Sequence, residues 1–228
     1  MNQELKTILS GDLQEYRSIP FWSWNNALDP QVLVQQIRQM KAAGVGGFIM
    51  HARLGFSDEY LGEKWFECVE ACLDEAKALG MGAWVYDENG WPSGFVGGKL
   101  LERAEYRARF LEMSTGAFDE AAFAVFAEDP KLGFRRVTAP ARGVDTYHNV
   151  YLRVSPANTD ILNPAVVDAF IRETHEEYYK RFPERFGKEL VGFFTDEPQF
   201  YRWATPYTPM AEEIFAAEGE DIRDGLIW

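Results

Sequence analysis

Apolar and polar positions along the chain alternate in a repeating order. A short apolar run ends among polar and aromatic residues, and an amphipathic helix follows. The first run, "IPFWSWNN" at 19–26, reads as a strand. Asp29 then offers an N-cap and Pro30 a first helical position. Leu33, Ile37 and Met40 follow at the spacing of a buried stripe, and Gly44 closes the helix. A second strand, "GGFIMHA" at 46–52, leads to a helix over 63–79. That helix carries Trp65, Val69, Cys72, Leu73 and Ala76 on one face and stops at Gly80. The third strand, "MGAWVY" at 81–86, runs into "DENGWPSGFVGG", and a helix is expected around 98–107.

The period then changes. "RARFLEMS", "AAFAVFAE", "GFRRVTA" and "HNVYLRVS" alternate with period two, separated by turn signals such as Asp129-Pro130 and Arg142-Gly143. The helical order resumes at "ILNPAVVDAF", where Asn163 caps a helix with the stripe Val167, Phe170, Ile171, Tyr178 and Phe182. Gly187 is expected to end it, "ELVGFFTDEP" is the fourth strand, and a last helix is expected over about 208–217.

Strands alternating with helices predict α/β class, with a parallel sheet of βα units. The expected type is a (β/α)8 barrel, represented by its first four or so units. The organisation expected is three units over 1–107, a β-rich insertion over 108–155, and a fourth unit with its following helix over 156–228. A full barrel needs about 250 residues. With an insertion inside 228 residues, the expectation is a chain truncated relative to a complete barrel. A self-contained four-stranded α/β layer is the alternative.

The net charge of −13 changes the picture of partners, since such a surface repels phosphate backbones. Nucleic acid and anionic membranes are therefore not expected. The opening "MNQELKTILSGDLQEYRSIP" lacks the apolar core of a signal peptide, and no run nears the roughly 20 apolar residues of a membrane span. A cytoplasmic location is expected. Cys68 and Cys72 stand four apart in a helical pattern with no histidine nearby, which reads as two reduced core cysteines.

Candidate chemistry collects where the strands end, the place that carries catalysis in barrels of this type. The first strand delivers Trp22, Trp24, Asn25 and Asn26, and the second delivers His51 and Arg53. The third delivers Asp87, Glu88, Asn89 and Trp91, and the fourth delivers Asp196 and Glu197. Aromatic faces pack on the C–H faces of a sugar, and amides, acids, Arg and His bind its hydroxyls. A protonated carboxyl can donate to a glycosidic oxygen while a second carboxylate activates water. Plainer roles stand beside these. Trp22 and Trp24 suit a core, His51 a satisfied buried imidazole, and Arg53 a solvated charge or a partner of Asp58. "DENGWPSG" suits a turn, and His148 and His175 suit structural positions. Adjacent strand residues point in opposite directions. Alternation alone leaves open which of Asp196 and Glu197 faces the site.

Taken together, "FWSWN", "IRQMKAAGVGGFIMHARLG", "AKALGMGAWVYDENGWPSGFVGG", "ILNPAVVDAFIRETHEEYYKRF" and "VGFFTDEP" resemble the catalytic barrel of glycoside hydrolase family 106. That is a family of α-L-rhamnosidases. The resemblance runs over about 20–219 and is weakest in the insertion. It implies inverting hydrolysis of terminal α-L-rhamnosides, possible assistance by calcium, no organic cofactor, and a carbohydrate partner. It also implies Glu197 as general acid and Asp196 as the residue that positions it or binds substrate. Trp24, Asn25, His51, Arg53, Asp87, Glu88 and Trp91 would contact sugar or metal. Family members are much longer, so the second carboxylate is expected on a later strand and the 228 residues alone are expected to show little or no activity. A non-catalytic carbohydrate-binding remnant is the first alternative. A barrel glycosidase of another specificity, such as a β-galactosidase, is the second.

Overall fold

A computed structural model describes residues 3–10, 14–200 and 204–228. The chain forms two compact units, one from 1–97 with 170–198 and the other from 98–169 with 199–228.

The first unit opens with α1 (Gln3–Ser10), which the hydrophobic pattern did not announce. Its sheet has four parallel strands, β1 (Phe21–Trp24), β2 (Gly47–Ala52), β3 (Gly82–Tyr86) and β8 (Leu190–Phe194), in that spatial order. Helix α2 (Pro30–Ala42) joins β1 to β2, and α3 (Glu63–Leu79) joins β2 to β3. The start of α2 and the end of α3 have local reasons. The Asp29 carboxylate accepts from the amide N–H groups of Gln31 at 2.8 Å and Val32 at 3.4 Å, and proline fills the first turn of α2. Gly80 ends α3 at φ +61°, a left-handed conformation that costs glycine little.

Strand alternation gives the sheet two unlike faces. On one face Trp24, Phe48, Met50, Ala83, Val85 and Leu190 pack with Leu33 and Ile37 of α2 and with Trp65, Val69, Cys72, Leu73 and Ala76 of α3. Both cysteines are free and buried in that layer. The Trp65 indole N–H donates to the Tyr178 hydroxyl at 2.9 Å, tying α3 to α5 (His175–Arg181). The other face is aromatic. Phe21, His51, Tyr86 and Phe194 form a chain of ring contacts, with His51 stacked on Tyr86 at 3.5 Å between centroids.

The second unit is built on an antiparallel sheet in the order β6 (Gly133–Arg136), β5 (Ala124–Asp129), β7 (Tyr147–Thr159), β4 (Arg107–Gly116) and β9 (Thr205–Tyr207). Its β5 alternates as expected, with Val125 and Ala127 in one cluster and Ala124 and Phe126 in another. The three-residue β9 pairs with β4, so this sheet draws on chain well beyond the period-two region. The last helix, α6, is Pro209–Ala217.

Two helix expectations need correction. The helix foreseen around 98–107 is replaced by two short 3-10 turns, Lys99–Glu102 and Ala104–Tyr106, between which Arg103 is extended. The helix after Asn163 is broken at Thr174 into α4 (Pro164–Glu173) and α5, and the division between the two units falls within α4. Its buried positions are Val166, Ala169 and Phe170, while Val167 and Ile171 are more than a third exposed. Phe170, Tyr178 and Phe182 are buried as expected, and the stripe differs at Val167 and Ile171, whose places are taken by Val166 and Ala169. Among the described residues no helix is long and apolar enough to cross a membrane.

The core assignment has a direct check. Leu73 has no exposed surface and Leu54 is almost fully exposed. Leu73→Ala is expected to lower stability by about 2–5 kcal/mol and Leu54→Ala by less than about 0.5 kcal/mol in urea denaturation.

Candidate functional site

Parallel pairing sets the geometry of the candidate site. Trp24 stands opposite Ala52, and Tyr86 opposite Phe194. The residues just past these positions therefore emerge at one end of the sheet, the carboxyl end. Asn25, Arg53, Asp87 and Thr195 follow the four strands directly, and Asp196 and Glu197 come next.

Asp87 and Glu88 end β3 with no exposed surface. A buried carboxylate must be hydrogen-bonded or paired, and both are. Glu88 Oε1 accepts from the backbone N–H groups of Asn89 at 2.8 Å and Gly97 at 2.5 Å. Its Oε2 accepts from Gly94 at 3.2 Å, Phe95 at 2.8 Å and Val96 at 2.7 Å. Successive N–H groups thus form a nest that the protein fills with its own carboxylate. Winding the backbone this way needs positive φ at Gly94 (+136°), Val96 (+53°) and Gly97 (+61°), and at Val96 that is strained. Burial pushes the Glu88 carboxyl up from its ordinary range, while the N–H groups pull the other way. Asp87 is held by side chains. Ser93 Oγ donates to its Oδ1 at 2.7 Å and Thr195 Oγ1 to its Oδ2 at 2.5 Å, and His175 Nε2 lies 3.0 Å from that same Oδ2.

The Asp-Glu pair sits beside this framework. The Tyr86 hydroxyl donates to Asp196 Oδ2 at 2.8 Å. Burial, followed by that bond, raises the Tyr86 phenol well above its ordinary value, so it remains a donor. The Ser93 N–H donates to the Asp196 carbonyl at 2.9 Å, and the Asp196 N–H donates to Ser93 Oγ at 2.9 Å. Asp196 is half-buried and gripped from β3 and its loop. Glu197 is exposed, has φ +40°, and shows no hydrogen bond among the described residues. The alternation left open at the strand end is thereby resolved: Asp196 faces Tyr86 and Glu197 reaches solvent.

The remaining expected residues divide. Asn25 and Arg53 are exposed, and Trp91 is 38 % exposed on the 89–97 loop. Trp24 is a correction. It is 3 % exposed and packs on Trp22 and Trp65 in the helix-side core, so most of its ring is covered by protein. Asp87 and Glu88 are corrected as sugar contacts for the same kind of reason, since their oxygens are occupied within the protein. Asp58 does not pair with Arg53; it accepts the Leu28 N–H at 2.6 Å. His51 is 4 % exposed, and its Nε2 has no partner among the described residues. Burial, then the positive charge of Arg53, lowers its pKa to about 4, against weaker opposition from the Gly90 backbone and Asp196.

Tyr86, Ser93, Thr195 and His175 were missed as site residues. Ser93 carried a faint signal as part of "WPSG". His175 lies 88 positions from Asp87, and no local pattern could join them.

Calcium takes six to eight oxygen ligands. With Asp87 and Glu88 engaged as described, no group of three or more His, Cys, Asp or Glu could hold a metal ion among the described residues.

No family model and no curated protein matches the chain. Among solved structures it is similar to a rhamnosidase from Novosphingobium sp. PP1Y, with 16 % identity and a TM-score of 0.40. The match covers 51 % of this chain and 12 % of that one.

Two measurements check the geometry. Glu88→Gln keeps the shape but sets an amide NH2 against backbone N–H groups. It is expected to cost about 1–3 kcal/mol and to speed hydrogen exchange at 94–97. His51 is expected to titrate near pH 4 by NMR. The unfolded imidazole takes up its proton from about pH 6.5 downward, whereas the folded one does so only near 4. Stability contributed by neutral His51 is therefore lost as pH falls from 6.5 towards 4. His51→Phe, which keeps a ring on Tyr86, is expected to reduce that loss in denaturation at pH 7 and pH 4.5.

Proposed function

We propose that the parallel unit carries the acid-bearing part of a carboxylate glycosidase site, on strands belonging to a (β/α)8 barrel, and that it acts on terminal α-L-rhamnosides. The observation that carries this reading is the contrast between two adjacent acids. Asp196 is immobilised by Tyr86 and Ser93, while Glu197 stands exposed on a left-handed backbone at a strand's carboxyl end. The identity of the sugar rests on the sequence motifs.

In this reading Glu197, as the acid, protonates the glycosidic oxygen as the bond to the anomeric carbon breaks. Arg53, Asn25 and Trp91 contribute hydroxyl-binding and ring-packing groups at the same end of the sheet. His51 stays neutral and supports Tyr86 from below by stacking. Inversion requires a second carboxylate about 6.5–9.5 Å from the acid, with room for water between them. Asp87 and Glu88 are unsuited to that task because both are buried and fully engaged. The base falls to a carboxylate outside the four strands.

The test is single-turnover hydrolysis with protein in excess over a panel of glycosides that includes α-L-rhamnosides and β-galactosides. This format detects the slow cleavage expected of the 228 residues alone. Glu197→Gln is expected to slow cleavage of an alkyl α-L-rhamnoside about 10²–10⁴-fold. A dinitrophenyl glycoside should be slowed far less, because its leaving group needs no proton. Equal rates for wild type and Glu197→Gln on the alkyl substrate would sink the assignment. Sugar binding without cleavage would replace the enzyme by a carbohydrate-binding unit, and preference for a β-galactoside would replace the sugar.

A further inference from the structure

We propose that Ser93 is a positioning residue: through Asp196 it sets the left-handed backbone of Glu197 that presents the acid. This deepens the reading of Glu197 as the acid and rests on it.

Ser93 is 3 % exposed and its side chain and backbone are both engaged. Its hydroxyl hydrogen goes to Asp87 Oδ1 at 2.7 Å, which turns an Oγ lone pair towards the Asp196 N–H at 2.9 Å. Its own N–H returns a bond to the Asp196 carbonyl at 2.9 Å. Asp196 is thus clasped at both backbone polar groups by one residue of another loop, while Tyr86 holds its side chain. The Asp196 carbonyl belongs to the peptide that precedes Glu197. Fixing that peptide plane fixes one side of the Glu197 φ torsion.

The clasp depends on where the 89–97 loop stands, and two buried carboxylates decide that. Glu88 gathers the N–H groups of 94–97, immediately after Ser93. Asp87 fixes the Ser93 hydroxyl. Glu197 has no bond of its own among the described residues to hold φ +40°. A non-glycine residue keeps such a conformation only where its surroundings over-determine it. The constraint therefore comes from its chain neighbours: Pro198, whose ring restricts the residue before it, and Asp196, which is held by Ser93.

Alanine at 93 keeps the backbone N–H that meets the Asp196 carbonyl, but it removes the acceptor for the Asp196 N–H and the hydroxyl bond to Asp87 that holds residue 93 in place for that backbone bond. Threonine keeps the hydroxyl. The experiment compares wild type, Ser93→Ala and Ser93→Thr in the 228-residue chain, reading the Glu197 φ from NMR couplings and chemical shifts. Ser93→Ala is expected to lose the positive φ at Glu197 while α2 and α3 resonances stay near their wild-type positions, and Ser93→Thr is expected to restore it. In the single-turnover assay Ser93→Ala should lower the limiting rate about 10- to 100-fold, with the half-saturating protein concentration within about two-fold. Were Ser93→Ala unable to fold, Ser93→Cys would take its place, since its thiol is a similar size but only a weak acceptor. A positive φ at Glu197 that survives Ser93→Ala overturns the proposal, as does a Ser93→Thr chain that behaves like Ser93→Ala. Where no variant hydrolyses the glycoside, the torsion reading by itself decides the role of Ser93.

Discussion

Two carboxylates without solvent end β3, and an ionised oxygen with no water around it must be surrounded by donors. That requirement shapes everything near the carboxyl end of the parallel sheet. Five backbone N–H groups turn inward to Glu88, which bends 94–97 into a nest and imposes positive φ on Val96. Asp87 draws in Ser93, Thr195 and His175, from the loop after β3, the end of β8 and the start of α5. The two acids of the β3 loop, expected as sugar or metal contacts, are its internal scaffold. What they support is the neighbouring pair, Asp196 and Glu197.

The sheet distributes this work between its faces. One face buries Phe48, Met50 and Val85 against α2 and α3 and supplies the packing that fixes the strands. The other carries rings that continue to the strand ends, where Tyr86 converts packing into a hydrogen bond with Asp196. Histidine 51 belongs to this second face. Burial, then the charge of Arg53, keeps it neutral near pH 7, and the neutral ring stacks on the phenol without adding a second cation to that of Arg53.

Much of the site was legible in part. The positions of Asn25, Arg53, Trp91, Asp196 and Glu197 past strand ends followed from the spacing of apolar runs, because a parallel sheet brings like ends together. Their division of labour was not legible. Asp196 and Glu197 differ through Tyr86 and Ser93, which approach from 110 and 103 positions away in the chain. Trp24 illustrates the opposite error. An indole at a strand end suits a ligand or a core equally well by type, and only the packing of Trp65 and Trp22 around it decided for the core.

The amino-acid sequence by itself determined the order of the four parallel strands with α2 and α3, the Asp29 cap, the Gly80 stop and the period-two region, since each follows from local backbone preference or from the spacing of apolar residues. It did not determine which face of the helix after Asn163 is covered: Val166 and Ala169 rather than Val167 and Ile171 are buried, since small and apolar residues lie on both sides of the stripe and only packing chooses between them. Nor did it determine the recruitment of 205–207 to the antiparallel sheet. The tertiary structure alone decided which carboxylates are internal and which is offered to solvent. Burial and hydrogen-bond donors are supplied by residues far apart in the chain, and an acid's chemistry depends on them more than on its own identity.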